Sequence, residues 1–383
     1  MEWQDEIDDD ELRDATRKYL PETVVWTTDW TTGALIDQIT RNIFDVDPPF
    51  QRRNAWDDKK ASLYIESLLL GCPVPPITLA EVPVNARSSR QYLVIDGKQR
   101  LGSLKRFVID GDLRLTGLET LPQFNGAKYF EVSGAPEFGR FANLPIRTIV
   151  MRNWKKDEVL QFVFHRLNTQ VTPLSTHELR RSLLSGPFTN FLDEASARSR
   201  GIQRILNIDE PDYRLRDAEL LLRAVALVSF FTKYRGNLKQ FLDTGTRSLN
   251  RSWSLNLKQQ LEDICTEIDA AIACTYAVFG EAAFQRYEEG YATGRFNRAI
   301  FDVMVLTLRF EDVRLASVER KGEVVEALNG LMVNPDFNRW TQATTKSREA
   351  VVGRLSLWSD ALSRVIGIPS LVVRAQTPAL DVD

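Results

Sequence analysis

The hydrophobic pattern changes period near Lys155, and that change constrains the fold more than any other feature of the chain. Before it, apolar runs are short and broken by Pro and Gly. Leu93-Val94-Ile95 reads as a buried strand ending at Asp96-Gly97, a turn dipeptide. Ile77-Thr78-Leu79-Ala80 and Ile146-Arg147-Thr148-Ile149-Val150 read as further strands. Between them, Asp57 is placed to cap a helix over Asp58–Leu70, and Gly71 to stop it. Leu101, Leu104, Phe107 and Val108 give a second helix straight after the Asp-Gly turn.

After Lys155 the spacing is helical. Val159, Leu160, Val163 and Leu167 share a stripe, and Ser175 with Glu178 forms a capping box. Asp217 is placed to cap the run Leu220–Phe231, and Ser254 the run Leu255–Phe279. Phe296–Phe310 and Ser347–Ile366 carry the same period. The pattern predicts an α+β chain: an acidic tail over 1–20, a mixed α/β domain over 21–154, and an all-α helical lobe over 155–383.

Composition narrows the chemistry. The two histidines, His165 and His177, lie too far apart for a His-Glu-x-x-His zinc pair. Three cysteines, Cys72, Cys265 and Cys274, cannot supply a four-thiolate site, and none stand in a Cys-x-x-Cys pair. Carboxylates, Arg, Lys, Gln and Asn remain. The net charge of -3 conceals an asymmetry, because the first forty residues hold eleven acidic and three basic side chains. That start reads as a solvated tail, or as a segment that fills a basic groove until nucleic acid displaces it. No apolar stretch approaches the roughly 18 residues of a membrane span, and the N-terminus lacks the pattern of a signal peptide. A cytoplasmic protein with reduced thiols is expected.

Three clusters could carry function. In Asp96-Gly97-Lys98-Gln99-Arg100, a strand ends in a turn that opens a helix. Turn amides, the helix dipole, Lys98 and Arg100 suit a phosphate. Gln99 could orient a water or a base edge, and Asp96 could help hold Mg²⁺. With Arg100 solvated in the first helical turn and touching the phosphate, its removal is expected to cost little stability; the plainer reading of the segment is a common turn followed by a solvated basic face. The second cluster runs from Pro48 to Trp56: Phe50 and Trp56 anchor it, leaving Gln51, Arg52 and Arg53 as positioned polar groups or as an ordinary basic loop. The third is Arg166-Leu167-Asn168-Thr169, where Arg166 and Asn168 could cap a helix or reach a ligand. His177 reads as structural, and Cys72, at a helix end, as packed rather than reactive.

In this order the clusters resemble the N-terminal domain of GmrSD-type modification-dependent restriction endonucleases, a ParB/sulfiredoxin-like domain. The residues that carry the likeness are Gln51-Arg52 with Trp56, Gly71-Cys72-Pro73-Val74-Pro75, Asp96–Leu101, Arg166–Thr169, and Leu174-Ser175 with Glu178-Leu179. Arg214–Leu220 with Arg223, and Phe296–Ala299, also look like helical segments of that family. The resemblance implies that the loop binds or hydrolyses a nucleoside triphosphate (ATP, GTP or CTP) with Mg²⁺. Asp96 and Gln99 would be catalytic, Asp96 the metal ligand, and Gly97, Lys98, Gln99, Arg100, Gln51, Arg52, Arg166 and Asn168 the phosphate and nucleotide contacts. Lys98 stands where the family has Gln, which keeps phosphate affinity and puts hydrolysis in doubt. Many relatives add a His-Asn-His nuclease domain, which is not expected here because no His follows His177.

The expected function is therefore a nucleotide-binding sensor or regulatory component of a DNA-directed restriction or anti-phage defence system. A separate nuclease or defence protein would be its partner, and DNA a further one. The alternatives are a metal-dependent DNA-nicking enzyme of the ParB-like type, for which Asp45 and Asp47 are the nearest further carboxylates, and a non-enzymatic interaction module.

Overall fold

Alternation along one strand organises the N-terminal part. In a strand of Tyr92–Asp96 (β3), Leu93 and Ile95 point to one face, and Tyr92 and Val94 to the other. The same alternation recurs in Ile77–Glu81 (β2) and Pro145–Arg152 (β4), and a strand of Val24–Thr31 (β1) completes the sheet. These elements belong to a computed structural model that describes residues 17–44, 56–82, 91–155, 157–167, 176–212, 215–288, 291–342 and 345–380. The strand order is β1-β4-β2-β3. β1 runs antiparallel to β4, β4 parallel to β2, and β2 antiparallel to β3.

Helices cover both faces. Thr32–Thr40 (α1), Asp58–Leu69 (α2) and Lys98–Leu104 (α3) place Leu35, Ile65, Leu101 and Leu104 against Ile77, Leu79 and Val94. α2 begins as expected: the Asp57 carboxylate accepts from Lys60 N at 2.8 Å. Gly71 beyond its end adopts φ +69°. On the other face, Asp157–Leu167 (α4) and Thr176–Leu183 (α5) bring Leu160, Val163 and Leu183 onto Ala80, Leu93, Ile95 and Met151. The chain divides between Leu183 and Leu184. That point lies about two helices beyond the change in hydrophobic period, because α4 and α5 are helical in pattern yet cover the sheet. The proposed Ser175–Glu178 capping box rests on Ser175, which lies outside the described residues.

The C-terminal part is helical. Its helices are Pro187–Arg198 (α6), Arg200–Leu206 (α7), Arg216–Phe230 (α8), Leu238–Arg251 (α9) and Leu255–Phe279 (α10). Arg298–Leu308 (α11), Glu311–Glu319 (α12), Lys321–Met332 (α13), Pro335–Gln342 (α14), Arg348–Ile366 (α15) and Leu371–Gln376 (α16) follow. Ser254 caps α10 as its position suggested, and Ser347, read as the start of a helix, caps α15 instead. Asp217 does not cap α8: it lies within the first turn and accepts from Ala218 N, while Leu215 occupies the cap with φ +58°.

One antiparallel hairpin, Gln285–Glu288 (β5) with Tyr291–Phe296 (β6), departs from the all-α expectation. Phe296 ends that hairpin rather than starting a helix, because the Asn297 side chain caps α11 through Ile300 N at 3.0 Å. α8 and α11 are buried almost throughout. Between them Asp302 accepts from Arg223 Nε at 2.6 Å and from Arg354 Nη2 at 2.7 Å, all three side chains being withdrawn from solvent. No helix among the described residues is long and apolar enough to cross a membrane.

Candidate functional site

The loop between β3 and α3 is shaped by a single glycine. Gly97 adopts φ +100° and forms the N-cap of α3. A Cβ there would stand 3.0 Å from Ile77 Cγ1, so the turn is pressed onto the start of β2. Among the described residues no side chain caps α3. The helical course continues from Leu104 into a wider turn, Lys105–Ile109.

Arg100 departs from the expected role. It is only 7% exposed, not a solvated residue of a first helical turn. Its Nη1 donates to the carbonyls of Pro75 and Pro76, and its Nη2 donates to Asp96 Oδ2 at 2.6 Å. The guanidinium thus bolts together the end of β3, the start of α3 and the segment leading into β2. Asp96 remains about one-third exposed at 35%, so part of its carboxylate faces solvent. Tyr64, from α2, lies close to Arg100. Burial pushes its phenol above its ordinary range against the pull of the Arg100 charge, and among the described residues its hydroxyl has no hydrogen-bond partner.

Gln99 joins two of the sequence clusters. Its Oε1 accepts from Trp56 N at 2.8 Å, which holds the end of the Pro48–Trp56 cluster against the Asp96–Arg100 loop. Trp56 packs edge-on to Tyr64 at 6.0 Å, the anchoring role expected of it. Residues 32–185 match the family of the GmrSD restriction endonuclease, N-terminal domain. The GmrSD-type segment therefore contains the loop, the whole of β2, β3 and β4, and the two helices on the second face of the sheet. It ends two residues past the point where the chain divides. No curated protein and no solved structure matches the chain.

The remaining expected site residues divide in two. Gln51, Arg52 and Asn168 lie outside the described residues, as do Asp45 and Asp47. Arg166 is exposed near the end of α4, with its guanidinium 5.1 Å from the Phe162 ring centroid. Lys98 and Gln99 are half-buried at the start of α3, and Gly97 is buried beneath them. Among the described residues no group of three or more His, Cys, Asp or Glu side chains could hold a metal ion.

Sequence reading assigned no contact to Tyr64, Pro75 or Pro76. Proline carbonyls remain strong acceptors although the residue lacks an N–H, but only the fold shows which way they point. Cys72 is exposed rather than packed. The end of α2 leaves it beyond the apolar stripe.

Proposed function

We propose that the chain is a nucleotide-binding sensor or regulatory component of a DNA-directed restriction or anti-phage defence system, acting in the cytoplasm with a separate protein supplying DNA cleavage. The match of residues 32–185 to the GmrSD N-terminal domain carries this reading and supports the coarser part of it, membership of a restriction or defence system. The finer part rests on the loop. Gly97 lets the backbone turn sharply where the amides of α3 begin, and Lys98 adds a cation at that end of the helix. A triphosphate would meet Lys98 and those amides. Mg²⁺ would take the exposed part of Asp96 together with phosphate oxygens.

Arg100 enters this scheme as a positioning residue, because its donors already hold Asp96 and the two proline carbonyls. Gln99 likewise ties Trp56 into place, which bears on where Gln51 and Arg52 would approach a ligand.

Calorimetric titration of ATP, GTP and CTP with Mg²⁺ into wild type and Lys98→Ala tests the site. A charge-assisted contact is worth about 1.5–3 kcal/mol, so the variant should bind the preferred nucleotide roughly 10- to 150-fold more weakly. Equal affinity in folded wild type and variant would remove the loop as a nucleotide site. Lys98→Gln, which restores the family residue, should retain more affinity than Lys98→Ala.

A further inference from the structure

A second candidate site lies in the helical part, outside the residues that match the GmrSD domain. The end of α8, the turn after it and one face of α9 enclose a pocket of about 400 Å³. That volume falls in the range of roughly 300–1,000 Å³ typical of small-molecule sites. Its floor is apolar. Phe230 and Phe241 form it, and Gly245 brings the α9 backbone onto the Phe230 ring, since a Cβ at Gly245 would stand 3.3 Å from Phe230 Cδ2 and Cε2. Glycine inside a helix costs about 1 kcal/mol against alanine, so a close approach is what it serves here.

The rim is basic. Lys233, Arg235, Arg247 and Arg251 all line the pocket, and its described lining contains no carboxylate. Two of these cations are held in place. Arg235 Nη1 donates to the carbonyls of Thr232 at 2.7 Å and Tyr234 at 3.1 Å, and Lys233 Nζ stands 5.5 Å from the Phe230 ring centroid. Tyr234 in turn packs edge-on to Phe241 at 5.1 Å, which fixes the floor to the rim. Asn237, Thr244 and Ser248 add hydrogen-bonding groups along the same face of α9.

We infer that the pocket binds a nucleoside phosphate. Cations of the rim, Arg247 among them, take the phosphate, the floor of Phe230, Phe241 and Gly245 takes the flat face of the base, and the α9 polar groups meet its edge or the sugar. Cations alone would hold any anion, and a bare apolar pocket any hydrophobe. Their combination at single-nucleotide size selects a compact ligand with both characters, and this disfavours an extended acidic peptide. The nucleotide could be free in solution or the 5′ end of a single DNA strand. The inference is independent of the loop at Asp96 and stands whether or not that loop binds a nucleotide.

The test is calorimetric titration of the full chain with three probes: thymidine 5′-monophosphate, a 5′-phosphorylated five-residue oligothymidylate, and inorganic phosphate. The proteins are wild type, Arg247→Ala, Arg247→Lys and Lys98→Ala. Arg247 is exposed, so its variants should keep the wild-type melting temperature. Binding of the nucleotide, the oligonucleotide or both should be weakened at least tenfold by Arg247→Ala and partly restored in Arg247→Lys. The tighter of the two probes identifies the source of the ligand. Inorganic phosphate should bind at least tenfold more weakly than that probe, because it cannot use the floor. No binding of either nucleotide probe, equal affinity in Arg247→Ala, or phosphate binding as tightly as the nucleotide would overturn the inference. Loss of binding in Lys98→Ala alone would place the nucleotide at the loop and likewise overturn it.

Discussion

Buried Arg100 directs its donors to the chain around it, and this reverses what its position in the motif suggests for a mutant. Arg100→Ala leaves the Pro75 and Pro76 carbonyls and Asp96 without their partner. Losing hydrogen bonds to a charged group costs about 1.5–3 kcal/mol, so the variant should unfold at clearly lower urea concentration. An unchanged midpoint would contradict the bolt. His177 makes a pH prediction. Burial, with Arg180 and Arg181 beside it, holds the imidazole well below its ordinary range. Its Nδ1 lies 3.4 Å from Arg180 Nη1, which can only donate, so Nδ1 accepts and Nε2 carries the proton. The unfolded chain takes up a proton as pH falls through about 6.5, whereas the folded chain does not. Stability from this residue is therefore present above that pH and declines below it. His177→Gln should flatten the fall in urea midpoint between pH 7 and pH 5.5; a slope equal to that of wild type would count against it. The thiols give a simpler check. Burial pushes Cys265 up to about 12 and Cys274 up to about 11, while Cys72 is exposed. One fast-reacting thiol is expected in the native protein, and it should vanish in Cys72→Ser.

At the scale of elements, turns and caps were the most legible features, because each is fixed by a few neighbouring residues. Asp57 and Ser254 each accept from the backbone amide three residues on, as the sequence places them to do. Asp96-Gly97 is the turn it reads as, and Gly97→Ala should cost about 1–3 kcal/mol, since alanine must take φ +100° and press on Ile77. A destabilisation below that range, read from thermal melts, would mean that the turn can relax. β1 was not read as a strand although Val24-Val25-Trp26-Thr27-Thr28 is rich in β-branched and aromatic residues. Its residues are exposed or half-buried, so the apolar alternation of the inner strands is absent. The hairpin β5–β6 was hidden for a similar reason, as it lies between two long helices with few buried positions. What one residue reaches across the fold was not legible at all. Neither the contact of Gln99 with Trp56 nor the pairing of Asp302 with Arg223 and Arg354 leaves a mark in local spacing. Asp302→Ala would strand two buried guanidinium groups and should cost about 3–5 kcal/mol.

For the whole molecule, period told helix from strand but not which core a helix serves. α4 and α5 have the pattern of the helical part and the packing of the sheet. A fragment ending at residue 154 should therefore expose Ala80, Leu93, Ile95 and Met151, bind a hydrophobic dye and aggregate. One ending at residue 183 should remain monomeric in sedimentation, and identical behaviour of the two would place α4 and α5 elsewhere. The sheet also sets a timetable. Among the described strands β1 pairs only with β4, from Val24 with Arg152 to Thr31 with Pro145, so its partner lies more than a hundred residues later in the chain. At about 5–20 residues per second of synthesis, β1 leaves the ribosome roughly 6–25 s before β4 exists. For that interval a stretch of Val, Trp and Thr with every backbone group open waits in the cell as an unpaired strand. The first vulnerability of this protein thus comes before the native state has formed, and slower translation of residues 32–144 would lengthen it.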